Sequence, residues 1–214
     1  MRYPALRNPP ALTLRTPRPS WLIGMKLLLT LLSPYFAVIA FWVVWPNAWL
    51  AILAYHAQIL FWNWPILRKM RKPQGRRIWM LAIPSVLVGP LLYVLLPYII
   101  RTNLSSWMDT YHLSGLALVF MVPYFGLIHP FLEQIHWQQL REHTAWSHPL
   151  FAGYHMIVLA SLITVPWLSL CFAVLMVTSL AWKQMARTTR SLTVPTISHV
   201  LADLGIVLAA WART

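Results

Sequence analysis

Long apolar segments recur along this chain of 214 residues. A helix of roughly 20 apolar residues crosses the hydrocarbon core of a bilayer. The pattern therefore predicts an all-α, polytopic transmembrane helix bundle of about seven spans, within a range of six to eight. The fourth span is expected to continue past Pro123 and Pro130, and residues 101–111 before it are expected to form a polar loop. The predicted spans are residues 25–45, 49–67, 78–100, 112–143, 146–165, 167–182 and 194–211.

The composition excludes the common soluble classes. Only 10% of the residues are charged and 59% are hydrophobic, whereas a soluble domain carries about 25% charged residues. Seven glycines and the lack of a repeat exclude a collagen-like fibre. The single cysteine, Cys171, excludes an intramolecular disulfide framework. An integral membrane protein remains.

The charge is unbalanced, with 17 Lys and Arg residues against four acidic ones and a net charge of +13. In a membrane protein, basic residues collect in cytoplasmic segments and set the topology, so we expect no nucleic-acid partner. All basic residues except Arg101 and Arg213 fall in segments that are inside if the N-terminus is cytoplasmic. Residues 1–20 are predicted to be a basic, proline-rich cytoplasmic tail, and residues 21–214 a single transmembrane domain. Tryptophans at span ends, such as Trp182, are predicted to form aromatic belts.

Four of the ionisable residues inside predicted apolar helices are the main candidates, since such groups are functional-site candidates by default. Helix geometry places all four about 8–15 Å from the cytoplasmic side. Burying them separately is costly, so we expect one shared polar cavity. A carboxylate with two imidazoles in such a cavity suits the activation of water for attack on a carbonyl group. The four are Glu133, His155, His199 and Asp203.

The same residues carry a resemblance to a known family. A glutamate motif beginning at Glu133 is followed by Phe-x-x-x-His at Phe151–His155 and by His-x-x-x-Asp at His199–Asp203. In this order, over residues 112–212, the chain resembles the CAAX-protease and bacteriocin-processing (CPBP, or Abi) family of intramembrane proteases. The resemblance implies hydrolysis of a peptide bond in or near the membrane. Glu133 and His155 would activate water, and His199 and Asp203 would form the oxyanion site.

The resemblance also implies a cellular location and partners. The protein would lie in the bacterial inner membrane with its active site toward the cytoplasm. Its partners would be membrane lipids and a membrane-associated peptide or protein substrate.

The first motif departs from the family pattern of Glu-Glu-x-x-x-Arg. The second Glu is Gln134 and the Arg is Gln138, so an ion pair is replaced by two amides that are expected to hydrogen-bond to each other. With Phe151, we assign these residues a supporting structural role. Two interpretations stay open: an active protease with a substituted structural pair, or a catalytically silent membrane protein with an immunity or scaffolding role.

Other interpretations assign the same residues no catalytic role. Glu133 could lie among headgroups, His155 could be a hydrogen-bonded core histidine, and the His199–Asp203 pair could only join helices. A transporter is disfavoured because the sequence shows no internal repeat. No cofactor is favoured. Zinc is an alternative, held by Glu133, His155 and His199 or by His129, Glu133 and His136. The histidines expected at the membrane interface are His136, His143 and His148.

Overall fold

A computed structural model describes residues 20–67, 80 and 82–214 of the chain. The predicted cytoplasmic tail is therefore outside the described residues, apart from Ser20, and so is the basic segment 68–77. Within the described part of the chain the architecture is helical, with an isolated antiparallel bridge between Ile100 and Ile163. The all-α prediction is confirmed at this level.

The helices are labelled in chain order. A π-helical segment, Ile39–Val44, extends α1, a 3₁₀ segment, Ile83–Leu87, precedes α3, and a π-helical segment, Tyr124–Ile128, joins α5 to α6. The α-helices are α1 (Ser20–Val38), α2 (Ala48–Leu67), α3 (Val88–Ile99), α4 (Leu104–Thr110), α5 (Gly115–Pro123), α6 (His129–His143), α7 (Ser147–Leu159), α8 (Val165–Thr189) and α9 (Thr193–Trp211).

Four helices of the described residues are long and apolar enough to cross a membrane. The 20-residue α2 is long enough to span, but it carries polar residues such as His56 and Asn63, which lower its hydropathy. The 17-residue stretch Ile83–Ile99 is apolar but shorter. The four long apolar helices are Gly24–Val44, Gly115–His143, Val165–Thr189 and Thr193–Trp211.

Two local predictions are wrong. Residues 101–111 are not an irregular loop throughout, because α4 forms within them. The side chain of Asn103 starts this helix by accepting a hydrogen bond of 2.9 Å from the backbone N–H of Ser106, the usual role of an N-cap residue. The sixth predicted span ends too early, since α8 continues from residue 182 to Thr189.

The fourth predicted span is continuous from Gly115 to His143, as expected. Pro130 has no backbone N–H to donate to the preceding turn. The chain passes this position by widening into the π-helical turns of Tyr124–Ile128, a common adjustment within long helices. The polar residues of α6 thus continue an apolar helix that starts at the opposite end of the bundle.

The helix α6 lies at the centre of the bundle. It packs against α2, α7, α8 and α9, and most of its residues are buried. The helix α9 reaches this position by close contact with α3, where a Cβ atom added to Gly205 would lie 2.8 Å from the backbone nitrogen of Gly89. Small residues allow such close backbone approach in membrane helices. The fold therefore surrounds the glutamate motif with side chains from four helices.

Candidate functional site

The carboxylate of Glu133 is enclosed by protein. Its side chain is 0% exposed, so the alternative that it lies among lipid headgroups is wrong. One carboxylate oxygen, Oε1, hydrogen-bonds to the hydroxyl of Tyr55 at 2.5 Å and to the hydroxyl of Tyr154. The indole N–H of Trp137 donates to the Tyr55 oxygen at 2.8 Å, which leaves the Tyr55 proton free to point at Glu133.

The second oxygen of Glu133 faces two imidazoles. The Nε2 atom of His199 is 3.5 Å from Oε2, and the Nε2 atom of His129 is 3.7 Å from it. Asp203 lies one turn after His199 on α9, with its Oδ2 atom 3.2 Å from the same Nε2. The structure thus brings Glu133, His199 and Asp203 together, as the sequence predicted.

His155 reaches Glu133 only through Tyr154. Its Nδ1 lies 2.8 Å from the carbonyl oxygen of Phe151, and because a carbonyl only accepts, Nδ1 carries a proton. Its Nε2 lies 3.0 Å from the Tyr154 hydroxyl. If His155 is neutral, that hydroxyl donates to Nε2, and a protonated Glu133 donates to the hydroxyl oxygen. If Glu133 is ionised, both nitrogens of His155 are protonated. One proton is therefore shared between Glu133 and His155 across a tyrosine.

The expected hydrogen bond between Gln134 and Gln138 is not formed. Gln134 instead accepts from the Nη1 of Arg141, seven residues later, at 3.0 Å. Gln138 donates to Glu142 at 2.9 Å. The expectation failed because an i, i+4 spacing only makes contact available, and in the bundle each amide finds a charged partner, which forms the stronger bond.

Arg141 is a buried cation next to the site. It is 1% exposed, its Nε donates to Ser179 at 2.9 Å, and its guanidinium lies over the rings of Phe151 and Trp182 at 5.2 and 5.6 Å from their centroids. Stacking of this kind is typical of a desolvated guanidinium. A buried guanidinium is therefore supplied to this part of the bundle from position 141 of α6.

Arg141 also fixes the orientation of His199. An arginine only donates, so the Gln134 oxygen faces it and the Gln134 amide nitrogen faces His199, where it lies 3.4 Å from Nδ1. Nδ1 is then the acceptor, and the proton of neutral His199 is on Nε2. That N–H points toward Glu133 and Asp203.

Two aromatic rings pack around His199. Phe151 is 0% exposed and contacts the His199 ring edge-on, as predicted for a packing residue. Trp182 was expected in an aromatic belt, but it is 2% exposed and its ring centroid lies 4.2 Å from that of His199. Its indole N–H donates to Ser198 at 3.0 Å. The expectation was wrong because α8 extends further than predicted, which places Trp182 inside the bundle.

Two of the histidines expected at the interface are buried instead. His136 is 0% exposed and lies 3.1 Å from the Nδ2 of Asn63. His148 is 5% exposed and lies 2.9 Å from the Ser179 hydroxyl. His143, at the end of α6, is exposed as expected.

Sequence reasoning missed the contribution of α2 and the role of Tyr154. Tyr55 and His56 stand in an otherwise apolar stretch of α2. His56 is therefore an ionisable residue inside a predicted span. That feature alone would have marked it as a functional-site candidate. Tyr154 carries no such signal, because a tyrosine beside a motif histidine is equally suited to packing.

Some of the residues considered as zinc ligands have other partners in the structure. Within residues 20–67, 80 and 82–214, no group of three or more His, Cys, Asp or Glu side chains is arranged to hold a metal ion. In one set, the Nε2 of His155 is directed at Tyr154. In the other, the Nδ1 of His136 faces Asn63.

Comparisons of the chain with protein-family models, with curated proteins and with solved structures returned no match.

Proposed function

We propose that the chain is an intramembrane endopeptidase of the CPBP type, which hydrolyses a peptide bond in or near the membrane. One observation carries the proposal: the carboxylate of Glu133 is buried between His199, at 3.5 Å, and the Tyr154–His155 pair. These groups come from α6, α7 and α9. Assembly of an acid–base pair and a separate N–H donor from three helices is a costly arrangement, and it matches the needs of amide hydrolysis.

In the proposed reaction, Glu133 accepts a proton as a water oxygen attacks the scissile carbonyl carbon. The carbonyl π bond opens and its electron pair moves to the oxygen. When the C–N bond breaks, the proton held by Glu133 passes to the leaving nitrogen. His155 is coupled to Glu133 through Tyr154. It exchanges a proton with the carboxylate during these two transfers and so changes the charge of Glu133. General acid–base catalysis of this kind contributes about 10²–10⁴-fold to the rate.

His199 supplies the donor for the developing oxyanion. Its Nε2–H, held in that tautomer through Gln134 and Arg141, faces the centre of the cluster. Asp203, at 3.2 Å, orients the ring. An ionised aspartate only accepts hydrogen bonds, so it acts on the oxyanion through His199. Loss of one such donor typically costs about 10²–10³-fold in kcat.

We propose further that the chain crosses the bacterial inner membrane about seven times with its N-terminus in the cytoplasm. In this topology α2, the stretch Ile83–Ile99 and α7 are spans in addition to the four long apolar helices. The site then lies toward the cytoplasmic side. Lipids and a membrane-associated peptide or protein are the expected partners. No cofactor is required, with zinc as the alternative.

A silent CPBP-like protein is the second candidate, and one observation favours it. The Tyr154 hydroxyl occupies the space between Glu133 and His155, where a water held by both residues would stand, and Glu133 is 0% exposed. Hydrolysis therefore requires the Tyr154 side chain to move when the substrate enters. If it does not move, the same fold serves only an immunity or scaffolding role.

The test is cleavage of a broad peptide library by the purified full chain in lipid nanodiscs, with and without a chelator. Cleavage by the unmodified protein is expected to be lost in Glu133→Gln, which keeps the shape of the side chain but removes the base. Glu142→Gln is the matched control, because Glu142 is on the same helix but pairs with Arg187 outside the cluster. Its cleavage is expected to equal that of the unmodified protein.

Equal cleavage by the unmodified protein and Glu133→Gln would refute Glu133 as the base. No cleavage by either protein would favour the silent candidate. Loss of cleavage on chelation, with recovery on adding zinc, would refute the metal-independent mechanism and support a zinc-dependent one.

A further inference from the structure

A second group of polar side chains leads away from Glu133 on the side opposite Tyr154. Tyr124, on the π-helical segment before α6, has its hydroxyl 2.8 Å from the Nδ1 of His56 on α2. The Nε2 of His56 lies 3.0 Å from the Nδ1 of His129 on α6. The Nε2 of His129 lies 3.7 Å from the Oε2 of Glu133. No step of the proposed hydrolysis uses these three residues.

The two histidines of this series are buried in the protein, whereas the tyrosine at its outer end is partly exposed. His56 is 3% exposed and His129 is 5% exposed, whereas Tyr124 is partly exposed. The two imidazole rings stack, with centroids 5.3 Å apart and planes 25° from parallel. Two histidines buried side by side inside a membrane protein are costly to maintain, and such series of His, Tyr and Glu side chains are suited to moving protons.

Hydrogen-bond chemistry gives the series one direction. With its proton on Nε2, His129 places a donor opposite the Oε2 of Glu133, and its Nδ1 is then an acceptor. The Nε2 of His56 must then donate to that Nδ1, which makes the Nδ1 of His56 an acceptor. The Tyr124 hydroxyl then donates its proton to the Nδ1 of His56. Every donor in the series therefore points toward Glu133.

We propose that Tyr124, His56 and His129 form a proton path that connects the enclosed carboxylate of Glu133 with water outside the cluster. One transfer moves the His129 Nε2 proton to Glu133 and the His56 Nε2 proton to the Nδ1 of His129. The Tyr124 proton moves to the Nδ1 of His56 and is replaced by a proton from water. Rotation of the imidazoles then restores the starting arrangement, and one proton has moved inward.

The last link is the slow one. At 3.7 Å the contact between His129 and Glu133 is longer than a hydrogen bond, so transfer requires the two side chains to approach by several tenths of an ångström. The other two links are at hydrogen-bonding distance. This inference concerns how Glu133 exchanges protons, and it goes beyond the proposed function because it holds whether or not the site cleaves peptides.

Nuclear magnetic resonance of the full chain in nanodiscs, with ¹⁵N in the histidine rings, tests the arrangement directly. We expect His56 and His129 both to carry their proton on Nε2, and a scalar coupling across the hydrogen bond between the Nε2 of His56 and the Nδ1 of His129. His56→Gln should abolish this coupling. His148→Gln, which removes another buried histidine that contacts Ser179, should leave it intact. A proton on the Nδ1 of His129 in the unmodified protein would overturn the proposal.

Exchange of the His129 ring proton with water tests the transfer. Tyr124→Phe keeps the ring and removes only the outermost donor, so exchange must then wait for local opening and should slow by about tenfold or more. Tyr111→Phe, which removes a hydroxyl that contacts Ser161, is the control. Unchanged exchange in Tyr124→Phe would refute the path. Neither readout depends on peptide cleavage, so failure of the path and failure of the proposed protease are distinguishable.

Discussion

At the scale of single residues, the environment of Glu133 decides what the site can do. A carboxylate without access to water is stable only if hydrogen bonds replace its hydration. Here Tyr55 and Tyr154 bond one oxygen, and His199 and His129 face the other. The Oε1 atom is thus hydrogen-bonded, whereas Oε2 has no hydrogen-bond partner among the described residues and lies beside two imidazoles. Each neighbouring group also links the carboxylate to a further titratable or polar group.

Tyr154→Phe tests how strongly this environment depends on one hydroxyl. Removing a hydrogen bond to a buried charged group should lower the free energy of unfolding by about 1.5–3 kcal/mol. Tyr111→Phe, which removes a bond between two neutral hydroxyls, should cost about 0.5–1.5 kcal/mol. Denaturation in detergent micelles measures both. In a Glu133→Gln background the effect of Tyr154→Phe should shrink, and an unchanged effect would contradict a direct interaction.

Arg141→Lys tests whether the buried guanidinium fixes the His199 tautomer. A lysine lacks the planar fork that reaches both Gln134 and Ser179, so the Gln134 amide is free to rotate. We expect His199 to change from the Nε2–H tautomer to a mixture, as seen in its ring ¹⁵N shifts, with a fall in cleavage. Arg187→Lys, at an exposed ion pair with Glu142, should change neither. A single unaltered tautomer in Arg141→Lys would show that Gln134 is held by other contacts.

At the scale of elements, the position of the site depends on how closely α9 approaches its neighbours. Gly205 meets Gly89 of α3, and Gly126 meets Leu204 at a similarly short distance. Both contacts lie on or beside the helix that carries His199 and Asp203. The helix that holds half of the candidate site is therefore set in place by glycines outside the three motifs.

Gly205→Ala should destabilise the bundle and displace α9. The added Cβ would lie 2.8 Å from the nitrogen and 2.9 Å from the Cα of Gly89, and because both are backbone atoms the helices must separate. Overpacking of this kind costs about 1–3 kcal/mol. Gly24→Ala, where nothing lies within 4 Å of the added atom, is the matched control. A Gly205→Ala protein as stable as the control would show that the α3–α9 contact is looser than described.

At the scale of the whole molecule, the exposed apolar surface lies on outer helices, as lipid contact would require. The long helix α8 contributes few buried residues and exposes Leu170, Val174, Val177 and Leu180. Helices that face lipid need no polar covering. The polar side chains are collected instead around α6. A polar centre inside an apolar shell is the arrangement expected of a membrane protein.

The proposed topology is testable by cysteine labelling in intact cells. In a Cys171→Ala background, Thr102→Cys should react with a membrane-impermeant maleimide from outside, and Thr188→Cys should react only after the membrane is permeabilised. Both positions are exposed, so access depends on sidedness rather than burial. The reverse pattern would mean that the N-terminus is outside. Labelling of both residues without permeabilisation would refute passage of α8 through the membrane.

The sequence by itself determined that the chain is built of long apolar helices, and it marked ionisable residues within them. Apolar length is a local property, and an ionisable residue in an apolar helix is visible in one dimension. The i, i+4 spacing of His199 and Asp203 also makes their contact available without knowledge of the fold. These features could be predicted because each depends on a single helix.

Only the tertiary structure decided which groups complete the site. Tyr55 and His56 come from α2, Arg141 bonds to Gln134 and Ser179, and Trp182 lies inside the bundle. Each of these contacts joins residues from different helices or distant turns, and its formation depends on how the helices cross. The physical reason is that enclosure removes water as a partner, so the polar groups at the centre depend on other side chains for their hydrogen bonds, and packing selects which side chains are within reach.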